Sequence, residues 1–162
     1  MQHYHTRNTM PEKTRVEVAS ELQKFLAMSI DMALQCKQAH WNMKGPDFIA
    51  LHELFDGITN DMREYADLIG ERIVQLGTSA EGTIQAISKR TQLPEYPLTL
   101  KTGKSHIEAL ATSLASYGEL IRAMVNRTAE MGDAATSDIL TEVLRGADKW
   151  LWMLESHIQT EK

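Results

Sequence analysis

The sequence predicts an all-α protein, a four-helix bundle with a short extra helix in one long connection. Four long segments carry apolar residues at the spacing of a helix with one buried stripe. Proline is scarce, with 4 residues, while the strong helix formers Leu, Ala, Glu and Met are plentiful. The first and last connections are short, as antiparallel neighbours require, and the middle one is long. A chain of 162 residues suits one domain with one substantial core.

The first helix is expected from about Thr14 to Asn42. Its stripe is Val18, Leu22, Phe25, Leu26, Met32, Ala33 and Cys36, continued by His40. Gly45-Pro46 ends it, and Asp47 opens a second helix that reaches Leu76, with Gly77 as its stop. Phe48, Phe55, Ile58, Met62, Ala66, Ile69 and Ile73 share one face of that helix, which must meet the other three. Ser105-His106-Ile107-Glu108 reads as a capping box opening the third. Ile107, Leu110, Leu114, Tyr117, Ile121 and Met124 form its seam, ending near Gly132. The fourth starts around Thr136 and turns Leu140, Val143, Ala147, Leu151, Leu154 and Ile158 inward. Trp150 and Trp152 read as core and interface anchors. From Gly77 to Lys104 the connection is too long for a plain turn, and TIQAISKR inside it suits a short helix. A crossover of that length fits a ferritin-like bundle better than a simple up-and-down one.

The balance of 43% hydrophobic and 24% charged residues is that of a globular chain. A net charge of -5 repels nucleic acid, so DNA contact has to come from a local basic segment. The stretch MQHYHTRNTMPEK lacks the apolar region of a secretory signal. No apolar run of roughly 18 residues is present to span a membrane. Cys36 is the only cysteine, which excludes an intrachain disulfide and suits a reducing cytoplasm.

The second helix has another patterned face. His52, Asp56, Asp67 and Glu71 fall within roughly 100° of one another, well over 100° from the core face. Solvated surface residues look like this, yet the stripe also carries Ile49 and Val74, and a histidine suited to transition metals. It is also nearly palindromic about the point between Asp61 and Met62: Ile49 mirrors Val74, His52 mirrors Glu71, Asp56 mirrors Asp67, and Asn60 mirrors Arg63.

The pairs His52/Asp56 and Asp67/Glu71 lie about 22 Å apart along the helix, so they cannot share a metal within one chain. If the helix meets its own copy antiparallel across a two-fold axis, His52 comes opposite Glu71 and Asp56 opposite Asp67. Two identical sites result, each split between chains. His40 lies at similar height across the short first connection and joins them. Imidazoles mixed with carboxylates suit Fe(II), Mn(II) or Zn(II). None of the 6 histidines follows a Glu by three residues, so the inward-facing Glu-x-x-His pattern of ferritin-like bundles is missing. The metal site therefore belongs between subunits.

The run KQAHWNMKGPDFIALHELFDGITNDMREYADLIGERIVQLG closely resembles the signature of the Dps family, the DNA-binding proteins from starved cells or mini-ferritins. The likeness extends through GTIQAISKRTQLPEYPL and TSDILTEVLRGADKWLWMLESHIQ, and the spacing His-x11-His-x3-Asp-x10-Asp-x3-Glu is highly specific. The resemblance implies a flexible tail over 1–13, a ferritin-like domain over 14–162, and a hollow homododecamer with ferroxidase centres at its two-fold interfaces. It implies His40, His52 and Asp56 from one chain, with Asp67 and Glu71 from its partner, as iron ligands and catalytic residues. The activity implied is oxidation of Fe(II), with hydrogen peroxide preferred to dioxygen, and storage of ferric oxide in the cavity. Trp41, beside a ligand, matches an aromatic position whose readings are radical trapping and helix-end packing. Asp133 and Asp138 fall where the family lines a three-fold pore, and helix-start residues stabilised by the dipole read the same way. Arg7, Lys13 and Arg15 against Glu12 form a weakly basic arm, for which weak, salt-dependent DNA binding and nucleoid association are expected. Two alternatives stay open: a structural DNA-binding protein with an incidental metal site, and a related manganese or zinc bundle.

Overall fold

In the computed structural model, which describes residues 2–159, five helices follow one another: α1 Glu12–Asn42, α2 Phe48–Gln75, α3 Ile84–Arg90, α4 Gly103–Glu130 and α5 Ala134–Glu155. The four long helices are the expected ones, and α3 lies where TIQAISKR placed it. Helix α1 packs along α2, α4 along α5, and α3 rests against α1. Two glycines stop helices by the expected means. Gly77 and Gly132 adopt φ of 85° and 77°, a left-handed turn that lets the next backbone N–H reach back to the helix carbonyls. Thr78 N–H thus donates to Ile73 O, and Asp133 N–H to Thr128 O.

The expected stripes of α1 and α4 are buried throughout, and Leu140, Val143, Ala147 and Leu154 of α5 join them. Leu151 and Ile158 are half-buried, and Ile158 lies beyond the end of α5. On α2, Phe55, Ile58, Met62, Ala66, Ile69 and Ile73 are buried, but Phe48 is 39% exposed. As the first residue of its helix it stands at the bundle's end, and its ring stacks on His52 with centroids 5.0 Å apart. Trp150 is buried with its indole N–H on Asp61, while Trp152 is exposed.

One cap differs from expectation. The box opening α4 is Thr102 with Ser105, one turn before the one the sequence suggested. Ser105 is the third helical residue, donating to Thr102 O rather than starting the helix itself. A Cβ at Gly103 would fall 2.5 Å from Leu51 Cδ1, so the first turn of α4 lies tight against α2.

Polar groups inside the bundle are tied across it. Ser29 and Tyr117 share a 2.6 Å hydrogen bond between α1 and α4. Gln35 accepts from Ser113 and donates to Pro94 O, which fastens the crossover. Arg72, 8% exposed, pairs with Asp133, 1% exposed, at 2.7 Å, and donates from Nε to Thr136. Asp133 also accepts from Thr136 N–H as the N-cap of α5. Removing one partner of such a pair strands a buried charge. Asp133→Ala should therefore cost about 3–5 kcal/mol in denaturant unfolding at fixed protein concentration, and adding Arg72→Leu should restore part of it.

Candidate metal centre

His40 closes α1 and His52 opens the second turn of α2, and the short 43–47 turn brings them face to face. Their rings stack with centroids 3.5 Å apart and planes 20° from parallel. Each ring bonds the other's backbone: His40 Nδ1 lies 2.9 Å from His52 O, and His52 Nδ1 lies 3.1 Å from His40 O. A carbonyl oxygen only accepts, so both Nδ1 atoms carry the proton. In the neutral ring that leaves each Nε2 with a lone pair for a cation. A backbone carbonyl fixing the far nitrogen is the usual support of a metal-binding histidine.

Asp56, one turn further along α2, has Oδ1 3.3 Å from His40 Nδ1. The same oxygen takes a hydrogen bond from the Lys37 ammonium. That bond, helped by the adjacent His40 and His52 rings, outweighs burial and holds the Asp56 carboxyl below the ordinary carboxylate range. Lys37 is the site residue that sequence reading missed. Its signal was its place three residues before His40, on the same face of α1.

Asp67 and Glu71 are exposed and line an open depression of about 790 Å³ with Arg63, Gly70, Val74 and Leu26. Ile49 is 62% exposed and Val74 53%, so the outer stripe of α2 has both its apolar ends in the open, while His52 and Asp56 within it meet α1. The structure brings together His40, His52 and Asp56. It leaves Asp67 and Glu71 as a separate pair further along the helix. Among the described residues no three His, Cys, Asp or Glu side chains are grouped to hold a metal ion within one chain.

The other expected residues fall as follows. Trp41 is exposed beside His40. Asp138 is exposed in a small depression with Ala129, Gly132, Ala134, Ser137 and Thr141. Asp133 is bonded inside the bundle to Arg72 and Thr136, so of the two only Asp138 is exposed. Arg7 and Lys13 are exposed, but Arg15 donates to Met10 O and Leu76 O. The segment expected as a flexible tail is placed, from Gln2, against the turn after α2. There Tyr4 N–H donates to Gly77 O and Ser79 N–H to Gln2 O.

A ferritin-like domain model matches residues 19–162. The DNA protection during starvation protein of Agrobacterium fabrum is 42% identical over 159 residues, spanning 98% of each chain. The chain belongs to the Dps family of ferritin-like proteins. The fold agrees: the tetragonal form of Mycobacterium smegmatis Dps superposes with a TM-score of 0.92 at 31% identity, covering 96% of this chain and 95% of that one. A protein named fine tangled pili major subunit, from Haemophilus ducreyi, is 31% identical over 87% of this chain and 74% of its own.

In this Dps-family chain, any cation bound at Asp56 meets the Lys37 ammonium already there. Lys37→Gln should raise the affinity of the assembled protein for Zn(II) by about tenfold, ~1.4 kcal/mol, in calorimetric titration. Unchanged or weaker binding would show that Lys37 does not compete with the metal.

Proposed function

We propose that this protein is a ferroxidase and iron store, with His40, His52 and Asp56 of one subunit completed by Asp67 and Glu71 of a two-fold partner. The reciprocal histidine clasp is the observation that carries this reading. It fixes the proton on both Nδ1 atoms, which leaves an Nε2 lone pair on each of two stacked imidazoles, in a corner that also holds an ionised carboxylate. The mirror-placed Asp67 and Glu71 supply the remaining oxygen ligands when α2 meets its copy antiparallel. Exposed Ile49 and Val74 are the apolar contacts such a meeting would bury.

Fe(II) is the substrate. Carboxylates offset its charge, and stabilise the ferric product more strongly than the ferrous one. Hydrogen peroxide is the preferred oxidant and dioxygen the alternative. Two Fe(II) ions give two electrons to one peroxide, which takes two protons and leaves as two waters. Pairing the electrons this way releases no hydroxyl radical, so iron storage also protects DNA. Ferric oxide collects inside a hollow homododecamer, and carboxylates at its three-fold pores, Asp138 above all, draw Fe(II) inward. Trp41 stands where an escaping oxidant would meet it. The protein works in the cytoplasm, and it holds DNA weakly at low salt through Arg7 and Lys13 near the N-terminus.

Light scattering on the assembled protein tests the shell, with a dodecamer of the 18.3 kDa chain expected. A fibre or a species no larger than a dimer would remove the cavity. Stopped-flow mixing with Fe(II) and peroxide tests the chemistry, and a rate no faster than buffer would end the enzymatic reading in favour of a structural DNA-binding role.

Which chain supplies which ligand has its own test. Asp56→Ala and Glu71→Ala should each abolish most fast oxidation when every subunit carries the change. Co-expressed, the two variants pair at random, and about half the dimers are mixed. Each mixed dimer has one doubly damaged site and one intact site, so roughly a quarter of wild-type centres should return. Mixed assemblies as slow as either parent would exclude a site shared between subunits. For DNA, a gel shift at low salt should vanish on deletion of residues 1–13, and one that survives deletion would place the contact elsewhere.

A further inference from the structure

Away from the α2 stripe, the crossover carries a second reactive arrangement. Tyr96, between Pro94 and Pro97, reaches back so that its hydroxyl lies 2.6 Å from His106 Nδ1 at the start of α4. The rings are nearly parallel, 14° apart, with centroids separated by 6.2 Å. His106 is 1% exposed, and its Nε2 is buried with no hydrogen-bond partner. An orphaned ring nitrogen is costly, and burial alone pushes the ring's pKa below the ordinary histidine value. The imidazole is therefore held neutral, and in the tautomer with its proton on Nε2 it presents Nδ1 as the acceptor for the phenol.

Its surroundings are rigid. Gln35 bonds Pro94 O and Ser113, which pins the crossover to α1 and α4 on both sides of the pair. Burial pushes the Tyr96 phenol up, and the fully buried thiol of Cys36 is likewise pushed up and stays uncharged. Cys36 lies one helical turn before His40 on α1. A cavity of about 550 Å³ is lined by Tyr96 itself, with Leu34, Gln35, Ile87, Leu93 and Pro94.

We infer that Tyr96 and His106 form a proton-coupled oxidisable pair, which takes up the electron hole of a one-electron oxidant of the hydroxyl-radical class. The oxidant accepts one electron from the Tyr96 ring and becomes hydroxide, which solvent protonates to water. The phenolic proton moves along the existing hydrogen bond to His106 Nδ1, leaving a neutral phenoxyl radical beside an imidazolium. Fe(II) returns the electron and becomes Fe(III), and the proton moves back to the phenol oxygen. Without an acceptor for the proton, oxidation would have to pass through a phenol radical cation, a far stronger acid than the imidazolium formed in its place. Tyr117 lacks such a base, since its hydroxyl meets Ser29. The oxidant arises only when a single Fe(II) meets peroxide outside the paired chemistry proposed above, giving Fe(III), hydroxide and hydroxyl radical; that source rests on the proposed function, but the pair itself does not.

The test uses iron-free assembled protein and azide radical generated by pulse radiolysis, so failure of the ferroxidase reading leaves it intact. Wild type should form a neutral tyrosyl radical, seen by transient absorption and by electron paramagnetic resonance. Tyr96→Phe should lose most of that signal, and Tyr117→Phe should retain it. His106→Gln keeps a hydrogen-bond acceptor but removes the base, and should form the radical at least tenfold more slowly. High-field resonance on wild type needs no variant, and should show an exchangeable deuteron coupled to the radical after transfer to D2O. A full signal in Tyr96→Phe, an unchanged rate in His106→Gln, or no exchangeable coupling in wild type would each overturn the pair.

Discussion

Helix α2 carries two patterned faces at once, and most of the architecture follows from how it places them. One face carries Phe55, Ile58, Met62, Ile69 and Ile73, all with no exposed surface. Burying side chains of that size contributes roughly 1.5–3 kcal/mol each, so together they fix the rotation of the helix about its axis. Once that rotation is fixed, the direction of every other side chain on α2 is fixed with it. Ile49, Asp67, Glu71 and Val74 then point away from the bundle, and His52 and Asp56 on the same stripe turn to the edge of α1. Turning the helix to hide that stripe would put carboxylates in the core, at far greater cost than leaving two apolar side chains in water.

The meeting of α1 and α2 joins stability to chemistry in the same bonds. Carbonyls in the last turn of a helix lack partners within it. His40 O is one of these, since α1 stops at Asn42, and the His52 ring supplies the missing donor. The bond that finishes α1 also sets which nitrogen of His52 keeps its lone pair. Lys37 adds a charge to the same corner, so the carboxylate stays ionised and compensated before any metal arrives.

Much of this was legible in the sequence because periodicity is local information. The burial of α1 and α4, the place of α3 and the glycine stops could be read from spacing alone. So could the grouping of His40, His52 and Asp56, because one short turn joins the two helices that carry them. What escaped was set by partners distant in sequence. Thr102-x-x-Ser105 and Ser105-x-x-Glu108 are both plausible boxes, and the close approach of Leu51 to Gly103 accompanies the earlier one. Asp133 reads as a surface acid until Arg72, 61 residues away, takes it inside. Arg15 reads as a free cation until Leu76 O claims it, again 61 residues away. Phe48 has the core face's angle but not the core's cover, because it begins its helix at the end of the bundle.

These partnerships also sort the acidic residues by what they can do. Asp133 is spent on joining α2 to the start of α5, and cannot serve a cation without stranding Arg72. Asp56 is shared with Lys37, so any cation would reach it only by competition. Asp67, Glu71 and Asp138 remain exposed on the protomer, where charge of one sign is tolerated because water screens it. Packing a second copy against the α2 stripe withdraws that water from Asp67 and Glu71. Their repulsion then has to be offset by something positive, and the histidine clasp with Asp56 has no net positive charge to offer while its rings are neutral. A divalent cation resolves this, so metal binding and pairing of α2 with its copy should reinforce each other.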